Sequence, residues 1–222
     1  MDKIDDFYLN YYEDIFGNGI VGLFARIVHR IIEFPYKKNV RYNSVLEVGA
    51  GQGEHRPFVK HQYGKYIETD LRIKNSKTKI QNNQDLFRIK SNAENLDEIK
   101  SNSIDRLIAT CILVHLPNPE KALNNWKRVV RSSGCLTIFV PTEPGMVLRL
   151  FRILVTSRKA KKLGLNHKSI HYQEHRNMWI YCNILIYEVF KESRIRHRKY
   201  PLKFLTWNFR LFDVYHIEMK GK

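Results

Sequence analysis

The stretch that most constrains this chain is Val45-Leu46-Glu47-Val48-Gly49-Ala50-Gly51-Gln52-Gly53. A short apolar, β-branched run predicts a buried strand, and the alternating glycines after it predict a sharp turn. Glycine lets the backbone bend and approach a ligand with no Cβ in the way. A helix is expected to follow. The dinucleotide fingerprint Gly-x-Gly-x-x-Gly would need glycine at position 54, which is Glu54. A negative charge there opposes a pyrophosphate at a helix N-terminus. No Lys-Ser/Thr pair follows, so a P-loop is excluded. The turn suits a nucleoside ligand without phosphates. Asp70 ends the next strand candidate, 19 residues beyond Gly51. An acid there can accept both ribose hydroxyls.

Strand candidates recur at Ser44–Val48, Lys65–Thr69, Leu86–Lys90, Arg106–Cys111 and Cys135–Val140. Between the last two, Pro119–Arg131 reads as a helix with Ala122, Leu123, Trp126, Val129 and Val130 on its apolar face. Strands separated by helical stretches predict a mostly parallel α/β sheet. Residues 1–39 read as helical, with Ile20, Leu23, Phe24, Ile27, Val28, Ile31 and Ile32 at helical spacing and Pro35 closing the pattern. Residues 146–192 read as a helical insert that caps a substrate. Residues 193–222 carry two terminal strands, Arg194–Tyr200 and Leu211–Met219. The whole, 1–222, is expected to be one domain around a 44–141 core.

Lys plus Arg number 38 against 22 Asp plus Glu, so the net charge is 38 − 22 = +16. That points to a polyanionic partner or an anionic surface. A hydrophobic content of 43% is enough for a packed core. Three cysteines, Cys111, Cys135 and Cys182, make neither a disulfide framework nor a Cys-only zinc site. The N-terminus lacks an apolar signal segment, and no apolar run is long enough to span a bilayer. A soluble, cytoplasmic protein is expected.

Further motifs accompany the glycine turn. They are Ser91-Asn92-Ala93-Glu94-Asn95-Leu96, Asp105-Arg106-Leu107-Ile108, Leu113-Val114-His115-Leu116-Pro117-Asn118-Pro119, and Val129-Val130-Arg131-Ser132-Ser133-Gly134. Together, over residues 44–141, they resemble the class I S-adenosylmethionine-dependent methyltransferases, in the type 11 branch. The resemblance implies a Rossmann-like sheet, mostly parallel, with a C-terminal antiparallel strand pair and helices on both faces. It also implies S-adenosyl-L-methionine as cofactor. The Gly49, Ala50, Gly51 and Gly53 backbone would face the methionine part of that cofactor, and Glu47 would orient the turn and reach the ammonium group through water. Asp70, followed by Leu71, would bind the ribose. Asn92, in place of the family's usual Asp, would offer its carbonyl oxygen to the adenine amino group. Ala93 would offer its N–H to the ring, and Thr110 would border the crevice.

Methyl transfer to a hydroxyl is helped by a base titrating near neutrality, which favours His. His115 follows the fourth strand on the loop facing the methyl end; the family often carries His there without a catalytic duty. His167, His171 and His175 recur every four residues and share one helical face. With Glu174 and Arg176, this face is expected to bind or deprotonate a polar acceptor. His171-Tyr-Gln-Glu174-His175 also matches a metalloprotease pattern. No third ligand stands on a suitable downstream helix, so no metal is expected.

The acceptor is expected to be a small molecule, a sugar or a lipid-linked glycan, O-methylated at or near the inner membrane face. Residues 146–162 mix Val147, Leu148, Phe151, Leu154 and Val155 with Arg149, Arg152, Arg158, Lys159, Lys161 and Lys162, as an interfacial segment does. A second basic cluster, Arg194, Arg196, His197, Arg198 and Lys199, precedes aromatic residues and leaves an RNA surface as the alternative. No Asn-Pro-Pro-Tyr-like amino-methylation motif follows the fourth strand. A non-catalytic protein that keeps the cofactor fold is the third reading, opposed by the intact glycine turn.

Overall fold

In the computed structural model, residues 19–80, 84–162, 171 and 173–220 are described. The expected helical stretch 1–18 and His167 lie outside them. Helix α1 (Gly19–Glu33) leads into strand β1 (Arg41–Val48). Then come β2 (Gln62–Asp70), β3 (Ser76–Ile80), β4 (Gln84–Lys90) and β5 (Ile104–Thr110). Helix α2 (Pro119–Val129) runs directly into β6 (Val130–Pro141). The insert follows as α3 (Met146–Phe151), a π turn over Arg152–Thr156 and α4 (Ser157–Lys162). Helix α5 (Trp179–Val189) precedes the terminal strands β7 (Arg194–Tyr200) and β8 (Phe212–Glu218).

The eight strands lie in the order β3-β4-β2-β1-β5-β6-β8-β7. The central strands β4, β2, β1, β5 and β6 are parallel, as expected. The pairs β3–β4, β6–β8 and β7–β8 are antiparallel. Successive side chains on a strand point to opposite faces. Leu46, Val48, Leu107, Ala109, Leu136, Ile138, Tyr215 and Ile217 therefore meet α2 and α5 through Trp126, Trp179 and Ile186. On the other face Phe139, Phe212 and Val214 meet Val28 and Ile32 of α1. Both faces are thus covered by helices.

Two elements depart from the sequence reading. No α-helix follows the glycine turn. Pro57 lies in that connection, and only the 3₁₀ turn Arg56–Phe58 forms before β2 begins. Strand β3 was not expected. It is the sheet edge, and its Lys77 stands exposed beside Asp85, the kind of charge that blunts an edge.

Strand β5 carries a fully buried Arg106, which would be costly unpaired. Glu33, at the end of α1, answers it with two hydrogen bonds: Arg106 Nη1 to Oε2 at 2.9 Å and Nη2 to Oε1 at 2.5 Å. His55 Nε2 reaches the same carboxylate at 2.9 Å, and His29 Nδ1 lies 2.8 Å from His55 Nδ1. The Tyr36 ring lies 3.4 Å from the guanidinium. One buried network thus joins α1, β5 and the segment after the glycine turn. Burial alone would raise the Glu33 pKa; the Arg106 charge and the His55 and Arg106 hydrogen bonds outweigh it and hold it at about 2.

Glu33→Ala leaves Arg106 buried without a counter-charge, so it is expected to cost about 3–5 kcal/mol in urea unfolding at pH 7. A depressed carboxylate pKa contributes stability above its unfolded value that is lost as pH falls. The gap between wild type and variant should therefore shrink from about pH 4.5 towards pH 2.

Candidate active site

The chain leaves β1 towards β2 on one side and leaves β5 towards β6 on the other. In open α/β sheets such a switch opens a crevice at the carboxyl ends of the strands. A cavity of about 410 Å³ lies there, bordered by the glycine turn, Asp70, Thr110, Cys111 and the insert. Gly49 and Gly51 have φ of +68° and +56°, a region closed to most side chains. A Cβ at Gly49 would meet the Ile112 side chain at 2.8 Å, and one at Gly51 would meet Glu54 Oε2 at 2.9 Å. The N–H groups of Gly49 and Ala50 both donate to Thr69 O, at 2.8 and 3.0 Å. Asp70 Oδ2 accepts the Gly51 N–H at 3.1 Å, and its Oδ1 accepts the Arg72 N–H at 2.9 Å. The carboxylate thus stands at the rim with its position set by the turn.

Glu47 lies at the cavity wall, 1% exposed, and its Oε2 accepts the Tyr66 hydroxyl at 2.6 Å. Burial pushes its pKa up to about 8, against the Tyr66 hydrogen bond. Gly53, Leu71, Asn92 and Ala93 do not line the cavity. A Cβ on Gly53 would strike Glu68 Oε1 at 2.8 Å, where Arg56 and Arg88 converge on that carboxylate at 2.9 and 2.7 Å. Leu71 is exposed. The Asn92 oxygen expected to face adenine accepts the Glu94 N–H at 2.8 Å, closing an Asx turn. Ala93 belongs to the core, where its carbonyl accepts the Trp126 indole N–H at 2.9 Å.

The far end of the cavity is polar. Glu143, just after β6, has His171 Nε2 at 3.0 Å and His175 Nδ1 at 2.7 Å from its Oε2. Arg152 holds Oε1. Burial would raise the Glu143 pKa, but the His171 and His175 hydrogen bonds and nearby positive charge hold it well below the usual range. His115 packs against His175 with ring centroids 4.5 Å apart, and its Nδ1 lies 3.7 Å from Glu174 Oε2, too far for a hydrogen bond. Burial, then the His175 charge, lowers its pKa to about 3, which makes it a weak base at neutral pH. Burial likewise lowers the pKa of His171. The three catalytic candidates, His115, His171 and His175, therefore stand together. Arg176 is exposed, and its backbone N–H donates to Val114 O at 2.9 Å.

Sequence reasoning missed Glu143 and the role of Arg152. Neither carries a motif, and only the fold brings them beside the histidines. The apolar side of the insert also divides. Leu148 and Phe151 line the cavity, joined by Phe24, Val28, Phe139 and Phe212, while Leu150, Ile153 and Leu154 are exposed. Cys111, at φ +60°, sits at the cavity edge in a conformation rare for non-glycine residues. Burial pushes its thiol up to about 12, so no thiolate nucleophile is available at neutral pH.

Residues 46–138 match the family model of a methyltransferase domain. Solved structures share the fold. An S-adenosylmethionine-dependent methyltransferase from Thermotoga maritima, described as a possible histamine N-methyltransferase, matches with a TM-score of 0.62 at 20% identity, over 99% of this chain and 100% of that one. The plantazolicin methyltransferase BamL, in complex with a triazolic desmethylPZN analog and SAH, matches with 0.62 at 14%, over 97% of this chain and 94% of that one. A SAM-dependent methyltransferase from Archaeoglobus fulgidus matches with 0.57 at 13%, over 94% of this chain and 100% of that one. No curated protein matches the chain in sequence. The matched segment and the shared fold give this chain the fold of the S-adenosylmethionine-dependent methyltransferases around a stretch that matches a methyltransferase domain. The glycine turn, held at positive φ beside the cavity, and the acid at its rim fit that cofactor. Among the described residues no helix is long and apolar enough to cross a membrane.

Glu47 supplies a test of this wall. A carboxyl whose folded pKa is raised loses stability as pH climbs from about 4.5 to about 8. Glu47→Gln removes that loss. Its stability relative to wild type is expected to improve by up to about 1.4 kcal/mol per pH unit across this window, read from urea midpoints.

Proposed function

We propose that the protein transfers a methyl group from S-adenosylmethionine to a hydroxyl on a small acceptor with an apolar body, such as an aromatic compound or a lipid-linked sugar. The observation that carries this reading is one cavity with three kinds of wall. A glycine cradle lies at one end, phenylalanine and aliphatic side chains lie between, and Glu143 with two histidines lies at the other.

The cofactor supplies an activated methyl on sulfonium. The chain's own work is then mostly positioning. The turn from Gly49 to Gly51 holds the cofactor's methionine end, and Asp70 holds the ribose. Phe24, Phe139, Leu148, Phe151 and Phe212 surround the acceptor's apolar body and exclude water. The cluster of Glu143, His171 and His175 holds the acceptor hydroxyl and takes up its proton. The O–CH3 bond forms as the S–CH3 bond breaks, and S-adenosylhomocysteine leaves. His115 packs behind His175 and positions it.

Calorimetric titration with S-adenosylmethionine tests the first half of this reading. Asp70→Ala is expected to weaken binding about ten- to hundredfold, the loss of a charge-assisted contact, and Gly51→Val to do at least as much. Unchanged affinity in both variants rules the site out. The acceptor is sought by mass spectrometry of cell extracts incubated with and without the protein.

The exposed apolar residues support a lipid-facing mouth. Leu150, Ile153 and Leu154 of the insert and Ile20, Leu23 and Ile27 of α1 are exposed, and the two elements meet through Phe24 and Phe151, in ring contact at 5.6 Å. Arg149, Arg158, Lys161 and Lys162 are exposed nearby. Leu150→Ser with Ile153→Ser is expected to reduce co-sedimentation with anionic vesicles. Any RNA mobility shift at the same ionic strength should be unaffected, because phosphate contacts use the cations. RNA retention without vesicle binding would instead favour an RNA substrate.

A further inference from the structure

We propose that Glu143, His171 and His175 bind one divalent first-row transition ion at the acceptor end of the cavity. One ligand atom from each of the three residues lies within 4.8 Å of the others. Both imidazoles already approach the same oxygen, His171 Nε2 at 3.0 Å and His175 Nδ1 at 2.7 Å from Glu143 Oε2. Atoms that bind a common tetrahedral ion at about 2.0–2.2 Å stand roughly 3.3–3.6 Å apart. An ion between them therefore asks each imidazole to move back from Glu143 Oε2 by a fraction of an ångström to about one.

The supporting structure is in place. His175 N–H donates to His171 C=O at 2.9 Å, one helical turn, so the two rings share a face. Arg152 holds Glu143 by Oε1 and leaves Oε2 towards the histidines. Such outer partners orient a ligating carboxylate. An independent observation points the same way. His115 Nδ1 is buried with no hydrogen-bond partner among the described residues, in the ring packed on His175. Two of the three donors are imidazoles, which favours zinc, copper, iron or nickel over magnesium, calcium or manganese. The carboxylates of Glu143 and Glu174 balance two of the three positive charges brought by Arg152 and a divalent ion. An acceptor oxyanion would cancel the third.

The sequence pattern lacked a third ligand because it was sought downstream of His175. Glu143 comes from upstream, off the end of β6. The ion site deepens the proposed transfer, and it rests on that reading only for its acceptor. With the ion in place, the hydroxyl oxygen takes an open coordination position instead of bonding the cluster. Its pKa falls and its proton passes to water.

The test uses the full chain, freed of any affinity tag and stripped with a chelator. Zinc is titrated calorimetrically, and cobalt is titrated while the visible spectrum is recorded. One ion per chain is expected. Losing even an outer partner costs about 10–100-fold in metal affinity, so His171→Ala, His175→Ala and Glu143→Gln should each weaken zinc at least tenfold. The cobalt band should change shape in His175→Ala. S-adenosylhomocysteine binding to the same samples reports that each variant is folded and keeps the two readings apart. Wild type that binds no zinc, or zinc binding undiminished in all three variants, overturns the ion site whatever the cofactor result. Zinc bound at one equivalent with no S-adenosylhomocysteine binding overturns the transfer reading and upholds the ion site.

Discussion

The buried pair of Glu33 and Arg106 is the constraint on which the site depends. A guanidinium in the middle of a parallel sheet demands a carboxylate, and α1 supplies it through Glu33. Meeting that demand fixes where α1 ends. It also places Phe24 and Val28 over the carboxyl ends of the strands, where they become cavity wall. The bond from His55 to the same carboxylate draws in the segment after the glycine turn. A connection with no α-helix of its own is thereby held against the sheet. In other proteins, replacing a buried ion pair with well-packed apolar residues is often neutral in stability. Here the network also sets the relative position of three cavity walls.

Within the cavity, Glu143 at the insert end is held much as Asp70 is beside the glycine turn. Each is a carboxylate at a strand terminus whose oxygens are held from two directions. The backbone holds Asp70, a rigid partner suited to a constant ligand. Side chains from the insert hold Glu143, and an insert is where a fold varies its substrate. The division follows from topology. β1 and β2 build the cradle from local backbone, whereas the segment after β6 must recruit partners from residues 152 to 175.

The sheet was legible in the sequence because each parallel strand is a short apolar run bounded by turn residues. Lys65–Thr69 and Arg106–Cys111 lie within or one residue beyond the strands observed. The glycine turn was legible because its backbone needs positive φ. The helix after it was misjudged because periodicity says little over so short a connection. Glu143 was illegible for a different reason. Its partners lie 9 and 32 residues away in sequence, at no fixed spacing, and only the packing of the insert onto the crevice brings them together.

Much of the positive charge has a structural place. Both sheet edges carry it, Lys77 on β3 and Arg194, Arg196 and Arg198 along β7. An exposed edge strand is a template for pairing with another chain, and charge along it prevents that. Arg194 and Arg196 also meet Glu218 on the neighbouring strand, at 3.7 and 2.8 Å, which keeps their side chains over the sheet. The second basic cluster read from the sequence is therefore largely an edge device. The charge on α4, Arg158, Lys161 and Lys162, has no such edge role and follows closely in sequence on the exposed Ile153 and Leu154. Cations close to bare apolar side chains, rather than along a sheet edge, are the physical pattern of a segment that meets an anionic, partly apolar surface.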